Sequence, residues 1–446
     1  MAAAVQPGGP KRHFLAGNLP EFRRDRLGFL MECARRHGDF VPLRLGVTRA
    51  VFINDPGAIE EVLGSSGTFV KSFAYRMIRP VVANGLLLSE GDFWKRQRRL
   101  VQPAFQRARM GEAYTPVIVE CTERMLDRWT AGEVRDVHPE MMRLTAQVAG
   151  QAFFGADVSE RTDEVSDALQ AANQLLTARM DSLLAVLPDR LPTPGNRKVR
   201  DAVARLDAII YPIIERRRRS RQNRDDLLSR LLAAQDEDGS QMTDTQLRDE
   251  VMTFFLAGHE TTSLLLSWTL YLLALHHDIQ ERLGQDIEAV LRGRPPTLAE
   301  LGTLPYLDAV LCETLRLYPP VWGMGREPVS DCEVAGHPVS KGTSILFSQW
   351  VMHRDARYFD QPDWFFPDRW VDGLQKRLPR YAYFPFGGGQ RICIGANFAM
   401  MEAGIILSML LPRFHFEPAP DHQVVVWPGF TLRPRSGVHL GLSLAA

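Results

Sequence analysis

The sequence predicts a mainly α fold with small β-sheets. Between about residues 92 and 320, apolar residues recur at every third and fourth position, which is helical spacing. Alternating, strand-like runs are confined to the stretch before about residue 75 and to the stretch after Pro320. The length of 446 residues would suggest roughly three domains at ~150 residues each. No Ser/Gly-rich linker divides the chain, however, so one domain over 1–446 is expected.

The elements follow in order. Coil through Gly9-Pro10 and Gly17-Asn18 leads into a short amphipathic helix from Glu21 to Arg36. Phe40 to Val47 and Arg49 to Asn54 read as two strands turning at Gly46-Val47-Thr48. Asp55 is an N-cap, with Pro56 at the first helical position. Breaks in the helical body fall at Leu187 to Gly195, at Asp236 to Ser240 and at Gly293 to Pro296. After Pro320, Cys332 to Val339 and Thr343 to Phe347 read as short strands. A last helix, Ala396 to Leu411, precedes two closing strand-like runs.

Charge and composition exclude several functions. Lys+Arg and Asp+Glu both number 53, so the net charge is zero, unlike a general nucleic-acid or anionic-membrane binder. The basic run Arg216 to Arg219 with Arg221 reads as a solvated helix end. The first residues lack the apolar core of a signal peptide. Val251 to Leu275 is long and apolar but is interrupted by Gly258-His259-Glu260-Thr261-Thr262. An acid at mid-bilayer costs roughly 2.5–3.5 kcal/mol, so this is a buried soluble helix and no membrane anchor is expected. Five scattered cysteines without a C-x-x-C pair exclude a zinc ribbon, and they suit a reducing, cytoplasmic compartment.

Four segments carry chemistry. In Phe386 to Gly395, three consecutive glycines let the backbone approach something flat or bulky. Arg391 and a helix start just beyond would favour a Cys393 thiolate. The residues alone leave open a thiolate beside a large planar ligand or an inert buried cysteine. His259-Glu260 invites a zinc-protease reading, but the second histidine would fall at Ser263, which excludes it. Glu260-Thr261-Thr262 is otherwise a catalytic group or a buried polar patch. Glu313 and Arg316 share a helix face ahead of the Pro319-Pro320 stop. Trp94 and Arg98 share another, at one-turn spacing.

Phe386, Gly389, Arg391, Cys393 and Gly395 together resemble the haem-binding loop of the cytochrome P450 family. The other three segments resemble family motifs in the family's order. The resemblance implies a triangular helical body around a buried haem b, within a single domain. That domain would have a β-containing part at about 37–75, a helical body at about 92–320 and a haem-loop region at about 384–411. It implies that Cys393 is the axial thiolate ligand of the iron, which favours O–O cleavage. Gly258 would leave a groove for O₂, Thr261 would hydrogen-bond the oxygen on the iron, Glu260 would relay protons through water, and Ala257 would leave room for substrate. Glu313, Arg316 and Arg369 would form a structural network behind the loop. Phe386 would bind the haem from the same loop. Arg98, with Trp94 on the same helix, and Arg326 and Arg391 would hold the haem propionates.

The resemblance further implies a haem-thiolate monooxygenase of an apolar substrate. The stretch Thr253 to Ser263 resembles bacterial fatty-acid hydroxylases, pointing to a fatty acid, terpenoid or similar lipid. Met77, Ile78, Phe254, Leu256, Val321, Trp322, Met324 and Phe430 are candidate pocket residues, with core packing as the other reading. Arg76 or Arg79 would hold a carboxylate or face water. Rival activities are a peroxide-driven hydroxylase, a haem isomerase or dehydratase, and a haem carrier. The Glu260-Thr261 pair favours the monooxygenase over all of them. With no fused flavin domain and no ferredoxin cysteines, electrons would come from a separate ferredoxin or flavodoxin with its reductase. Lys95, Arg96, Arg99, Arg107 and Arg109 would steer such an acidic partner or form a solvated face. The protein is expected to be a monomer.

Overall fold

The computed structural model describes residues 8–65, 67–106, 110–155, 191, 193–220, 226–235 and 239–445. Arg107, Arg109 and Arg221 lie outside the described residues, as do parts of the breaks expected at 187–195 and 236–240. The helices used below are α1 (Leu19–Arg24), α2 (Arg26–His37), α3 (Pro56–Gly64), α4 (Gly91–Val101), α5 (Val137–Phe154), α6 (Pro194–Ser220), α7 (Asp244–Leu275), α8 (His277–Leu291), α9 (Pro305–Leu317) and α10 (Ala396–Leu410). The strands are β1 (Phe40–Leu45), β2 (Thr48–Ile53), β3 (Phe69–Lys71), β4 (Val134–Asp136), β5 (Met324–Pro328), β6 (Cys332–Val334), β7 (His337–Val339), β8 (Ser344–Phe347), β9 (Phe414–Pro418), β10 (Val426–Pro428), β11 (Leu432–Pro434) and β12 (His439–Leu444).

The chain forms two compact units. The first joins Met1–Met77, Leu315–Cys393 and Pro428–Leu432. It holds a five-stranded sheet in the order β1-β2-β8-β5-β3. β1 and β2 are an antiparallel hairpin pairing Leu45 with Thr48, turned by Gly46 at φ +64°. Asp55 caps α3 as expected, accepting from the Ala58 N–H at 2.8 Å. Val51, Ile53, Ile59, Val62, Ile345 and Phe347 join in one apolar core. Each such side chain contributes roughly 1.5–3 kcal/mol on burial.

The helix expected from Glu21 to Arg36 is two helices. Asp25 adopts an extended conformation (φ −152°, ψ 92°), and its carboxylate accepts from the Gly28 N–H at 2.9 Å. The acid therefore starts α2 and ends α1, because capping an exposed N–H outweighs continuing the periodicity. Arg76, a candidate carboxylate holder, is already paired with the buried Glu327 at 2.6 Å.

The second unit joins Ile78–Thr314, Ile394–Trp427 and Arg433–Ala446. Among the described residues its longest helix, α7, opens with a capping box between Thr243 and Gln246 and packs along α5. It runs unbroken through Gly258 to Thr262. An aromatic cluster of Phe105, Tyr114, Phe153, Phe254 and Phe398 fills its interior, with ring centroids 4.9–6.5 Å apart. A three-stranded sheet, β4-β12-β9, lies in the same unit. The basic run on α6 is not simply a solvated end. Arg217 is buried and donates to Asp226 (2.5 Å), Ser229 Oγ (2.6 Å) and the Phe154 carbonyl (2.6 Å). Among the described residues, no helix is long and apolar enough to cross a membrane.

Glu250 on α7 is fully buried, and its Oε2 accepts from the Leu86 N–H at 3.1 Å. Burial pushes its carboxyl up to about 8 from an ordinary 4.5, against the pull of that N–H. At neutral pH the folded protein keeps a proton that the unfolded chain releases. Stability is therefore expected to fall as pH rises from about 4.5 towards 8, by at most about 1.4 kcal/mol per unit from this group. Urea midpoints of the wild type and Glu250→Gln, compared between about pH 5.5 and 7.5, should diverge by that one-proton slope. Parallel curves would contradict the assignment.

Candidate functional site

Phe386 to Cys393 of the cysteine loop belong to the first unit. The Cys393 N–H donates to the Phe386 carbonyl at 3.0 Å, closing the turn. The three glycines inside it have specific jobs. A Cβ on Gly388 would lie 2.2 Å from the Tyr381 ring, and one on Gly389 would lie 1.9 Å from the Leu63 carbonyl oxygen. Gly387 and Gly389 also have positive φ, +71° and +63°. The close approach expected of this backbone is thus made to the protein's own residues. The Tyr381 hydroxyl accepts from the Gly389 N–H at 3.0 Å. Arg391 ends the short turn Gly389–Arg391, which packs on α3.

The chemistry of the cysteines separates them. Cys33 and Cys121 are buried, and burial pushes their thiols up to about 12 and about 11. Cys312 and Cys332 are half-buried, whereas Cys393 is exposed. A soft, accessible sulfur on a loop held at both ends fits an axial thiolate ligand.

Behind the loop, Arg316 is fully buried. Its Nη1 donates to the carbonyls of His353 (2.9 Å) and Pro362, and its Nη2 to the Trp364 carbonyl (2.8 Å). Arg369 Nη1 donates to the Asp360 carbonyl at 2.9 Å. Both arginines therefore clamp one stretch of backbone, residues 353–364. Glu313, one turn before Arg316 on α9, is fully buried as well. His353 Nε2 accepts from the Phe384 N–H at 3.0 Å. Burial and then the Arg316 charge lower its pKa to about 3, which keeps the ring neutral.

In the second unit, α7 is buried from Leu247 to Leu270 except at Ala257, Gly258 and Thr261. These three share one face, so the long helix leaves one uncovered window. The Thr261 hydroxyl donates to the Ala257 carbonyl at 2.7 Å, leaving its oxygen able to accept. Gly258 has a packing duty beside the groove expected of it. A Cβ there would press within 3.0 Å of Phe153 on α5.

Glu260 is 2% exposed and does not line that window. It accepts from Arg433 Nε at 2.7 Å and from the same guanidinium's Nη2. Ser263 and Ser267 continue its helix face, and His138 Nδ1 lies 3.1 Å from Ser267 Oγ. Burial, then the Arg433 charge, lowers His138 to about 4. Arg433 escaped the sequence reading because nothing local couples it to a residue 173 positions earlier. Glu402 on α10 also escaped it. Burial raises its carboxyl well above the ordinary range.

The remaining candidates are scattered between roles. Trp94 (7% exposed) and half-buried Arg98 sit one turn apart on α4. Arg326 on β5 is buried, and its Nη1 donates to the Gly325 carbonyl at 2.9 Å. Met324 faces Gly387, and Trp322 Nε1 donates to the Gly429 carbonyl at 2.9 Å, next to half-buried Phe430. Val321 and Met77 are half-buried, while Ile78 and Leu256 are buried. Phe254 packs against Phe105 and Phe153, with ring centroids 5.6 and 6.5 Å away. Lys95 is paired with Asp92 at 2.9 Å, and Arg96 donates to Ser240 Oγ at 3.1 Å.

A family model described as Cytochrome P450 matches residues 7–439. Cyclooctatin synthase of Streptomyces melanosporofaciens is 36% identical over 444 residues, 98% of this chain and 93% of that protein. Cyclooctat-9-en-7-ol 5-monooxygenase of the same organism is 35% identical over 91% of this chain and 88% of its own length. Pentalenene oxygenase of Streptomyces avermitilis is 34% identical, covering 92% and 91%. Among solved structures, retinoic acid bound cyanobacterial CYP120A1 superposes with a TM-score of 0.88 at 27% identity, covering 98% of this chain and 99% of that one.

The buried Glu260–Arg433 pair generates a test. Arg433→Met strands a buried carboxylate and should cost about 3–5 kcal/mol in urea unfolding. The double variant with Glu260→Gln should recover much of that loss. Additive losses would mean that the two side chains are energetically independent.

Proposed function

The chain belongs to the cytochrome P450 family, whose members use haem to oxygenate apolar substrates with electrons from redox partners, and from that premise we propose that its substrate is a cyclic terpenoid. Two relatives are named for acting on cyclooctat-9-en-7-ol and pentalenene, which narrows the lipid range read from the sequence. We assign the cofactor as haem b, held through Cys393, with Arg98, Arg326 and Arg391 as partners for its carboxylates. When bound, that group supplies O₂ activation and insertion of one oxygen atom into the substrate.

The observation that carries the assignment is the uncovered window on α7. Ala257, with the smallest side chain, leaves room for an apolar molecule there. Thr261 holds its hydroxyl against the Ala257 carbonyl, so its oxygen is fixed as an acceptor at the window. Glu260 is the proton store behind it, and Arg433 is its positioning residue. The guanidinium supplies the counter-charge and sets the carboxylate's direction. Val321, Trp322, Met324 and Phe430 are apolar groups suited to binding the substrate body. The electron donor is a ferredoxin or flavodoxin with its reductase.

Turnover under ¹⁸O₂ with a surrogate ferredoxin, its reductase and cyclic terpenes tests this. Singly ¹⁸O-labelled product is expected from the wild type. In Thr261→Ala, product per NADPH should fall about tenfold or more while NADPH is still consumed, since positioned proton transfer is worth ~10²–10⁴-fold and water replaces part of it. Unchanged coupling would remove Thr261 from the mechanism. Unlabelled product would remove the O₂ reaction.

A further inference from the structure

We propose that His277, His415 and Glu417 form a binding site for one divalent transition-metal ion of the zinc class, on the surface of the second unit. His277 is the first residue of α8, and the other two lie on β9. Strand alternation sends Phe414 and Phe416 into the core, so His415 and Glu417 share the opposite face. The rings of Phe414 and Phe416 pack against Trp129 with centroids 5.9 and 6.3 Å away, which fixes the strand's rotation.

The helix start is fixed with equal care. Gln280, buried and one turn beyond His277, donates from Nε2 to the Phe416 carbonyl at 3.0 Å. Its Oε1 accepts from the Phe416 N–H at 2.8 Å. This amide clasp grips the residue between His415 and Glu417, so the first turn of α8 is seated opposite both. Such a buried frame around exposed ligand groups is what orients metal-binding side chains.

His277 Nδ1 and His415 Nε2 lie 2.9 Å apart, with ring centroids 5.0 Å apart. One donor atom from each of the three residues falls within 4.8 Å of the others. Two imidazole nitrogens at ~2.0–2.1 Å from an ion stand about 2.9 Å apart at a right angle and about 3.3 Å apart at the tetrahedral angle. Loading therefore needs a separation of only a few tenths of an ångström. Without metal, one ring donates an N–H to the other. With metal, that ring carries its proton on the far nitrogen, so both facing nitrogens present lone pairs to the ion. Two imidazoles and one carboxylate suit a borderline ion, with solvent completing the coordination. None of these residues belongs to the cysteine loop or the α7 window. The ion would brace the start of α8 against β9.

The test uses the chelator-treated, haem-loaded protein dialysed against Zn²⁺, with bound metal counted by mass spectrometry. One zinc per chain is expected in the wild type. That zinc should be lost in His277→Ala and His415→Ala, bound about tenfold more weakly in Glu417→Gln, and kept in His422→Ala. Zinc should raise the unfolding temperature of the wild type and leave the His277 variant unmoved. Zinc retention that is equal in wild type, His277→Ala and His415→Ala, or no retained zinc in the wild type, would overturn the site.

Discussion

The structure depends on holding one loop still. A cysteine can serve as a fixed ligand only if the backbone carrying it cannot drift, and here that backbone is wedged from several sides. Gly388 and Gly389 leave no space for a side chain against Tyr381 and Leu63. Tyr381 accepts the Gly389 N–H, and the Cys393 N–H closes the turn on Phe386. Upstream, a neutral His353 accepts the Phe384 N–H while Arg316 grips the His353 carbonyl. The chain of contacts runs without a gap from α9 to the cysteine. Burying the Arg316 guanidinium is tolerable because backbone carbonyls take up its donors.

The helical unit solves a different problem. A long buried helix must carry polar groups to a reaction while leaving them few places to go. α7 divides them between two faces. Thr261 stands at the only window among the described residues from Leu247 to Leu270, and Glu260 stands behind it against Arg433. Half of such a pair is costly and the whole pair is tolerated, so the acid and its arginine depend on each other. The window and the ion pair thus place the Thr261 hydroxyl and the buried Glu260–Arg433 pair on one helix.

Local patterning made much of this legible. The Asp55 cap, the hairpin at Gly46, the helix start at Ala396 and the cysteine loop all follow from adjacent residues. What local patterning missed was set by distant partners. Arg217 read as solvated until Asp226, Ser229 and Phe154 surrounded it. Arg76, which locally reads as a carboxylate holder or a water-facing cation, pairs with the distant Glu327. Arg433 and the paired histidines of α8 and β9 carry no motif, because their meaning lies in tertiary proximity. Asp25 differs from these, since its signal was local and periodicity masked it.

The central claim is that the Cys393 sulfur is the axial ligand of the haem iron. The absorption spectrum of the dithionite-reduced, carbon-monoxide-saturated protein tests it most directly. Thiolate ligation predicts a strong red shift of the Soret band in the wild type and its loss in Cys393→Ala. A wild type without that shift, or a Cys393→Ala protein that keeps it, would contradict the account.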